Sequence, residues 1–324
     1  MWTPAYIPLA TQHNFWGPCT GSSPFGSGIA FGGGVPIGSA KPVGGSALFA
    51  LWQMGPGGSI VNSQVLGSVP SNWSLIGQRD FDGDGYADLL WRDSNTGTVA
   101  IWFMNGFQVT STVSLGAVPS NWSVYGTGNL DGALAPQGSL PGAILWRDSI
   151  TGTVAVWYLG GTSVSSTVNL GAPPLTWTLI GDDNKGDIFW HDNSYNYAMW
   201  QVSGALVASA GLGNVPSNWM IQGFGDFYGD GDIDILWRDS NTGAVAIWNL
   251  NGTQIKSTTT LGAVPNTWNV VQTGDYNGDG TSDILWQDNS GNLAIWFLSA
   301  GQVSSSVNAG NIGMNWTVQS ANSE

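Results

Sequence analysis

A tryptophan-rich segment that recurs along the chain constrains its fold more than any other feature. The segment LLWRDSNTGTVAIW (89–102) returns as ILWRDSITGTVAVW (144–157) and ILWRDSNTGAVAIW (235–248), and more loosely as IFWHDNSYNYAMW (188–200) and ILWQDNSGNLAIW (284–296). Self-similarity of this kind indicates a repeat architecture, in which each unit buries its faces against its neighbours. The chain is therefore expected to be a ring or stack of similar units.

Each unit predicts four short antiparallel strands. In the first complete unit these are WSLIG (73–77), ADLLWR (87–92), TVAIWFM (98–104) and FQVTSTVSLG (107–116). The dipeptide Asn105-Gly106 between the last two is a strong hairpin signal. Four antiparallel strands in every forty to fifty residues are typical of a β-propeller blade.

Five units are complete, and the two ends of the chain supply the parts of a sixth. NWTVQS (315–320) matches a first strand, whereas GIAF (28–31), ALFALWQM (47–54) and GSIVNSQVLG (58–67) match the second, third and fourth. Pairing them would close the ring and remove its open edges. We therefore predict an all-β fold: a single β-propeller over residues 28–324, with six four-stranded blades closed by the N- and C-terminal strands. Residues 1–27 would form an N-terminal arm, and a seventh blade built from residues 1–26 is the alternative.

Three acidic loops join the first and second strands of their units. We call DFDGDGYAD (80–88), DFYGDGDID (226–234) and DYNGDGTSD (275–283) the aspartate loops and number their positions 1 to 9. Oxygen-bearing side chains at positions 1, 3, 5 and 9, a glycine at position 6 and a backbone carbonyl at position 7 can surround one cation. Oxygen ligands without His or Cys select calcium, and a cation would relieve the repulsion between the carboxylates.

The sequence thus predicts three Ca²⁺ sites. Their expected ligands are Asp80, Asp82, Asp84, Tyr86, Asp88, Asp226, Asp230, Asp232, Asp234, Asp275, Asn277, Asp279, Thr281 and Asp283. Tyr228 replaces the ligand at position 3 of the second loop, so that site is expected to be weaker, or to use Asp232 or water.

Two units have no aspartate loop. GDDNKGD (181–187) is too short, and the ammonium of Lys185 could take the place of the missing ion. The segment 129–143 keeps Asn129 and Asp131 but then inserts proline and glycine. It is expected to bind no metal.

The motif DFDGDGYADLLW and its two siblings resemble the FG-GAP/VCBS-type repeat family, which includes the integrin alpha-chain propeller and many bacterial surface proteins. The resemblance covers roughly residues 28–320 and is nearest to a tryptophan-rich bacterial branch. The Phe-Gly and Gly-Ala-Pro signatures of the family are replaced by LIG and LWRD. The resemblance implies a propeller with calcium on its loops, secreted or on the cell surface.

Composition argues against several classes of function. A net charge of -14 would repel phosphate backbones, so nucleic acid is not an expected partner. The sequence contains no run of 18 apolar residues, so it predicts no membrane span. The only histidines are His13 and His191, Glu324 is the only glutamate, and Cys19 is the only cysteine. We therefore expect no enzyme and no intrachain disulfide.

Tryptophans occupy three repeated places in each unit. Those on the second and third strands are expected to pack between blades. A further set, the strand-start tryptophans, opens the first strands: Trp73, Trp122, Trp177, Trp219, Trp268 and Trp316. Either they pack as well, or they form a ring of exposed indoles whose faces stack on sugars and gain strength by multivalency.

Arg92, Arg147 and Arg238 each precede an aspartate in the motif WRDS. They are expected to hold the blade hairpin by hydrogen bonds or ion pairs, although a repeated donor to a sugar hydroxyl is the alternative. Two functions from different classes stay open. The chain is either a multivalent carbohydrate-binding module or a protein-binding adhesion or assembly module, with a glycan or a surface protein as its partner.

Overall fold

The computed structural model describes residues 37–40, 46–54, 60–84, 86–130, 142–183, 186–313 and 316–319. The fold is an all-β propeller, as predicted, and these residues form six antiparallel sheets of four strands each. Each sheet is one blade. The first strand of a blade lies at one edge of its sheet, and the largely exposed fourth strand lies at the other.

Blades 2 to 6 each consist of four consecutive strands. Blade 2 contains β4 (Trp73–Arg79), β5 (Asp88–Asp93), β6 (Thr98–Asn105) and β7 (Gln108–Ala117). Blade 3 contains β8 (Trp122–Gly126), β9 (Ala143–Asp148), β10 (Val154–Leu159) and β11 (Val164–Gly171). Blade 4 contains β12 (Trp177–Asp182), β13 (Asp187–Asp192), β14 (Asn196–Val202) and β15 (Leu206–Asn214). Blade 5 contains β16 (Trp219–Gly225), β17 (Asp234–Asp239), β18 (Ala244–Asn251) and β19 (Gln254–Ala263). Blade 6 contains β20 (Trp268–Gly274), β21 (Asp283–Asp288), β22 (Asn292–Ser299) and β23 (Gln302–Asn311).

Blade 1 closes the ring with strands from both ends of the chain. Its order is β24 (Trp316–Gln319), β1 (Ile37–Ala40), β2 (Ser46–Met54) and β3 (Ile60–Pro70). The terminal strand β24 pairs antiparallel with β1, which places Ile37 opposite Gln319. The second strand of this blade is therefore 37–40 and not the expected 28–31. Residues 28–31 and the expected arm 1–27 lie outside the described residues.

The core consists of the junctions between successive blades. At the junction of blades 2 and 3, Leu90 and Ile101 of blade 2 form one buried cluster with Ile144 and Trp146 of blade 3. Equivalent clusters join the other successive pairs from blade 1 to blade 6. The second-strand tryptophans are about 1% exposed, which confirms their predicted packing role: Trp91, Trp146, Trp190, Trp237 and Trp286.

The WRDS arginines connect one blade to the next. Arg92 donates to the backbone carbonyls of Val118, Pro119 and Trp122, in the linker that leads into blade 3 and at its first residue. Its guanidinium also lies 5.6 Å from the ring centre of Trp146, within the range of a cation–π contact. Arg238 repeats the pattern between blades 5 and 6. The predicted structural role is thus correct, but the hydrogen bonds hold the following linker and not the arginine's own hairpin.

The aspartate of the same motif organises the turn after it. Asp93 accepts hydrogen bonds from Asn72 Nδ2 and Asn95 N, both at 2.8 Å, and from Thr96 Oγ1 at 2.9 Å. The bond from Asn72, followed by the others, lowers the pKa of Asp93. The pKa of Asp148 and of Asp239 is lowered in the same way, so these carboxylates belong to the turns and not to a ligand site.

Candidate functional site

The aspartate loop of blade 2 brings three carboxylates together. One oxygen from each of Asp80, Asp82 and Asp88 lies within 4.8 Å of the other two. Asp80 and Asp88 are buried, whereas Asp82 and Asp84 are exposed. The loop therefore has a closed inner side and an open outer side.

The first aspartate of each loop shapes the turn by accepting backbone hydrogen bonds. Asp80 Oδ1 accepts from Gly83 N at 2.7 Å and from Asp84 N at 3.2 Å. Asp226 and Asp275 accept from the corresponding nitrogens of their loops. The position-4 glycine has a φ of 80° in blade 2, in the left-handed region that glycine adopts without strain. Position 4 thus requires glycine as well as position 6, a feature that the sequence reasoning missed.

The last aspartate of each loop ties the loop to the third strand. Asp88 is 0% exposed, and its two carboxylate oxygens accept hydrogen bonds from Phe81 N at 2.9 Å and Met104 N at 2.8 Å. Asp234 and Asp283 make the same pair of bonds in blades 5 and 6. We call these three residues the clamp aspartates.

Burial makes the clamp aspartates costly to ionise. It raises the pKa of Asp88 to about 8, and that of Asp234 and Asp283 to about 7, although the two backbone donors oppose the shift. A cation beside the carboxylates favours the ionised form and removes this penalty. The donor set of the blade 2 loop, all carboxylate oxygen, fits a calcium ion.

The blade 6 loop has the same framework with one amide in place of a carboxylate. Asp275 accepts a further hydrogen bond from Gly280 N at 2.8 Å, and Asn277 Nδ2 donates to Asp279 Oδ2 at 3.0 Å. Thr281, at position 7, is buried, and Asp279 is exposed. Oxygen-bearing side chains thus stand at the predicted positions of this loop, although among the described residues three carboxylates converge within 4.8 Å in the blade 2 loop alone.

The blade 5 loop differs because its position-5 carboxylate is already paired. Lys256 Nζ lies 3.2 Å from Asp230 Oδ2, and Asn249 Nδ2 lies 3.3 Å from the same oxygen. Partial desolvation raises the pKa of Asp230, but these two donors outweigh it and leave the pKa lowered. The sequence reasoning overlooked Lys256 and Asn249 because they lie on β19 and β18, far along the chain from the loop.

Tyr228, at position 3 of the same loop, packs against neighbouring residues. Its hydroxyl bonds the hydroxyl of Thr259, and its ring lies so close to Gly301 of blade 6 that a Cβ there would overlap it. Tyr228 therefore faces the next blade. The blade 5 loop has neither the position-3 ligand nor a free position-5 carboxylate, so it fits a cation less well than the other two.

The two blades without aspartate loops replace the clamp by a backbone carbonyl. Leu159 N donates to Gly142 O at 2.9 Å, and Val202 N donates to Gly186 O at 2.6 Å. These nitrogens correspond to that of Met104, which the clamp carboxylate accepts in blade 2. The expected metal-free insertion (131–141) and Lys185 lie outside the described residues.

The strand-start tryptophans are neither fully buried nor fully exposed. In blades 2 to 6 each is half-buried and packs at the edge of a junction core: Trp73, Trp122, Trp177, Trp219 and Trp268. Each residue thus packs and also keeps part of its surface in contact with solvent, so the sugar-stacking interpretation stays a prediction. The side chain of Trp316 is not among those described.

The described contacts of His191 are with the backbone and rings of its own hairpin. Its Nδ1 lies 3.0 Å from the carbonyl oxygen of Asp192, and its ring lies beside Tyr195 and Tyr197. It occupies the position that Arg92 has in blade 2. His13 and Cys19 lie outside the described residues.

Comparison with known proteins supports the repeat assignment. Residues 226–286, which include the aspartate loop of blade 5, match the FG-GAP-like repeat family. No curated protein matches the chain. Within the described residues, no helix has the length and apolarity that crossing a membrane requires.

Several solved structures are similar to the chain at low sequence identity. A nidogen/laminin complex contains a chain with 14% identity and a TM-score of 0.49, over 85% of this chain and 94% of that one. Raptor from Chaetomium thermophilum has 10% identity and a TM-score of 0.49, over 87% of this chain and 26% of its own. The dihydro-heme d1 dehydrogenase NirN has 9% identity and a TM-score of 0.42, over 85% and 54%.

Proposed function

We propose that this chain, a β-propeller with an FG-GAP-like repeat, is a non-catalytic extracellular binding module that calcium stiffens and that recognises neutral carbohydrate. The half-burial of the strand-start tryptophans carries the proposal. An indole anchored on one side and open on the other is a rigid apolar face on which the C–H face of a sugar can stack. A net charge of -14 disfavours anionic ligands.

Calcium would stabilise this module and take no part in chemistry. The blade 2 and blade 6 loops supply the oxygen ligands that calcium prefers. Their first and last aspartates are buried beside the strands that the loop joins. An ion there would neutralise these carboxylates and fix the loop between the first and second strands. We propose two such ions, because the blade 5 loop has paired its position-5 carboxylate with Lys256.

The blade 5 loop should gain a calcium ion when its two differences from the other loops, Tyr228 at position 3 and the pairing of Asp230 with Lys256, are removed. We expect about two ions per chain in the wild type and one more in the double variant Tyr228→Asp/Lys256→Met. The first substitution restores a carboxylate at position 3, and the second removes the lysine charge from Asp230 and leaves it only the neutral donor Asn249. Metal analysis after equilibrium dialysis against calcium gives the count. Lys256→Met alone is the control, since it leaves position 3 without a ligand, and three ions in the wild type would refute the account of this loop.

A glycan array on the purified chain, run in calcium and again in excess chelator, tests the proposed function. Binding to a defined neutral glycan is the expected result. If a chain with native circular dichroism in calcium binds no glycan on the array, the carbohydrate proposal fails. Loss of binding together with unfolding in chelator would place calcium in the scaffold and not at the sugar.

A second candidate function is adhesion to another protein, favoured by an apolar patch at the junction of blades 3 and 4. Ile150 is 70% exposed and Leu175 is 57% exposed. Leu175 Cδ2 lies beside Gly152, in the turn that contains Ile150. The sibling turns carry Asn95 and Asn241 where this one carries Ile150. Exposed apolar groups next to each other are typical of protein contact surfaces.

A further inference from the structure

Blade 4 contains a pocket of about 380 Å³ on the face that carries its tryptophans. Trp177, Trp190 and Trp200 contribute from the first, second and third strands, and residues 209–211 contribute from the fourth. The linker prolines 173–174 complete the lining, which includes no charged side chain. Pockets of this size accept small ligands or single residues of larger ones.

A glycine on the fourth strand distinguishes this blade from its siblings. Gly211 lies opposite Ala198 in the sheet. The residues at the corresponding place opposite the third strand are Ser114, Asn169, Thr260 and Asn308 in the other blades between 2 and 6. Each of these residues has a polar side chain on the tryptophan face. Blade 4 has no side chain at this place. A Cβ at Gly211 would meet no atom within 4 Å, so the space above this strand is open.

From this difference we infer that the blade 4 pocket is the principal binding site of the module, and that it holds a single uncharged sugar residue. The inference rests on the proposed carbohydrate function and replaces a ring of equal sites by one dominant site. In the other blades between 2 and 6, the residue at this place on the fourth strand carries a side chain. Only in blade 4, among blades 2 to 6, does glycine take that place.

The chemistry of the lining fits an uncharged ring with one apolar face. Trp177 and Trp200 are half-buried, so each is held by the sheet and still presents surface to the pocket. Ser209 offers a hydroxyl at the edge of the pocket. Two aromatic surfaces with few polar groups resemble the general make-up of ligand pockets, in which apolar walls bind and polar groups orient. The absence of charge in the lining excludes ion pairing as the source of affinity.

Substitutions in the pocket and at its sibling test the inference. Methyl glycosides of glucose, galactose, mannose and N-acetylglucosamine are titrated into the calcium-loaded chain by calorimetry. Trp177→Ala removes a wall, and Gly211→Phe fills the opening. Phenylalanine is tolerable at Gly211, which has no positive φ and where a Cβ would meet no atom within 4 Å. Trp122→Ala is the matched control, because Trp122 has the same strand position and the same half-burial in blade 3.

The expected result is at least a tenfold loss of affinity in Trp177→Ala and Gly211→Phe, against a much smaller loss in Trp122→Ala. Gly211→Phe separates a blocked pocket from a misfolded chain, since it deletes no packed atom. Equal small losses in Trp177→Ala and Trp122→Ala would overturn the single site while leaving the carbohydrate function intact. No binding of any glycoside or array glycan would overturn both. If only 4-methylphenol, an analogue of the tyrosine side chain, binds in a Trp177-dependent manner, the occupant is an apolar side chain of a partner protein and the inference is wrong.

Discussion

Removing calcium is expected to lower the free energy of unfolding by about 5 kcal/mol at a free calcium concentration one hundred times the dissociation constant. Each ion that binds only the folded chain contributes about 2.7 kcal/mol under that condition, and we propose one ion in each of the blade 2 and blade 6 loops. Chemical denaturation followed by tryptophan fluorescence, in calcium and in excess chelator, measures the difference. The signal is strong because the chain contains 19 tryptophans.

A magnesium control and a carboxylate variant test whether the stabilisation comes from calcium in these loops. Magnesium at the same concentration should stabilise much less, because it requires a near-ideal octahedral arrangement and gives up its waters reluctantly. The double variant Asp82→Asn/Asp279→Asn should lose most of the calcium effect, since it removes one exposed carboxylate from each fitting loop. An unfolding midpoint that does not respond to calcium would contradict the assignment of both loops.

Much of the fold could be read from the sequence because its strongest signals are local and repeated. The hairpin dipeptide Asn105-Gly106 returns as Asn251-Gly252, and the motif LLWRD returns with small changes in every complete unit, so each copy supports the assignment of the next. The two open ends predicted closure, and the pairing of Ile37 with Gln319 confirms it. The second strand of blade 1 was misplaced because IGSA (37–40) has almost none of the pattern of DILW. Its position depends on pairing with β2 and β24, which a local pattern does not encode.

The candidate site could be predicted only as far as its ligands are adjacent in sequence. The spacing of Asp80, Asp82 and Asp88 indicates a common centre, and the three carboxylates do converge. The pairing of Asp230 with Lys256 spans 26 residues and crosses two strands, so no motif reveals it. The blade 4 pocket depends on the lack of a side chain at Gly211. The sequence does not show that Gly211 is equivalent to Ser114 and Asn308, because this equivalence follows from the sheet register.

The clamp aspartates support a second large effect that does not depend on calcium. Asp88→Ala is expected to lower the free energy of unfolding by about 2 to 6 kcal/mol even in excess chelator. The substitution leaves two buried backbone donors, Phe81 N and Met104 N, without their acceptor, and each unsatisfied buried group costs about 1 to 3 kcal/mol. Denaturant unfolding in chelator measures this cost apart from any contribution of the ion.

Asp82→Asn is the matched control, because Asp82 belongs to the same carboxylate cluster but is exposed. In chelator it should change stability by less than about 0.5 kcal/mol, as surface substitutions usually do, while in calcium it should lose part of the stabilisation. Asp88→Asn should fall between the two, since its amide keeps one acceptor oxygen for the two donors.

If Asp88→Ala and Asp82→Asn are equally mild in chelator, position 9 serves as a metal ligand alone. If they separate as expected, one buried carboxylate both joins two strands and prepares the loop for its ion. Blades 3 and 4 then show what happens without the loop, because the carbonyls of Gly142 and Gly186 take over the strand contact.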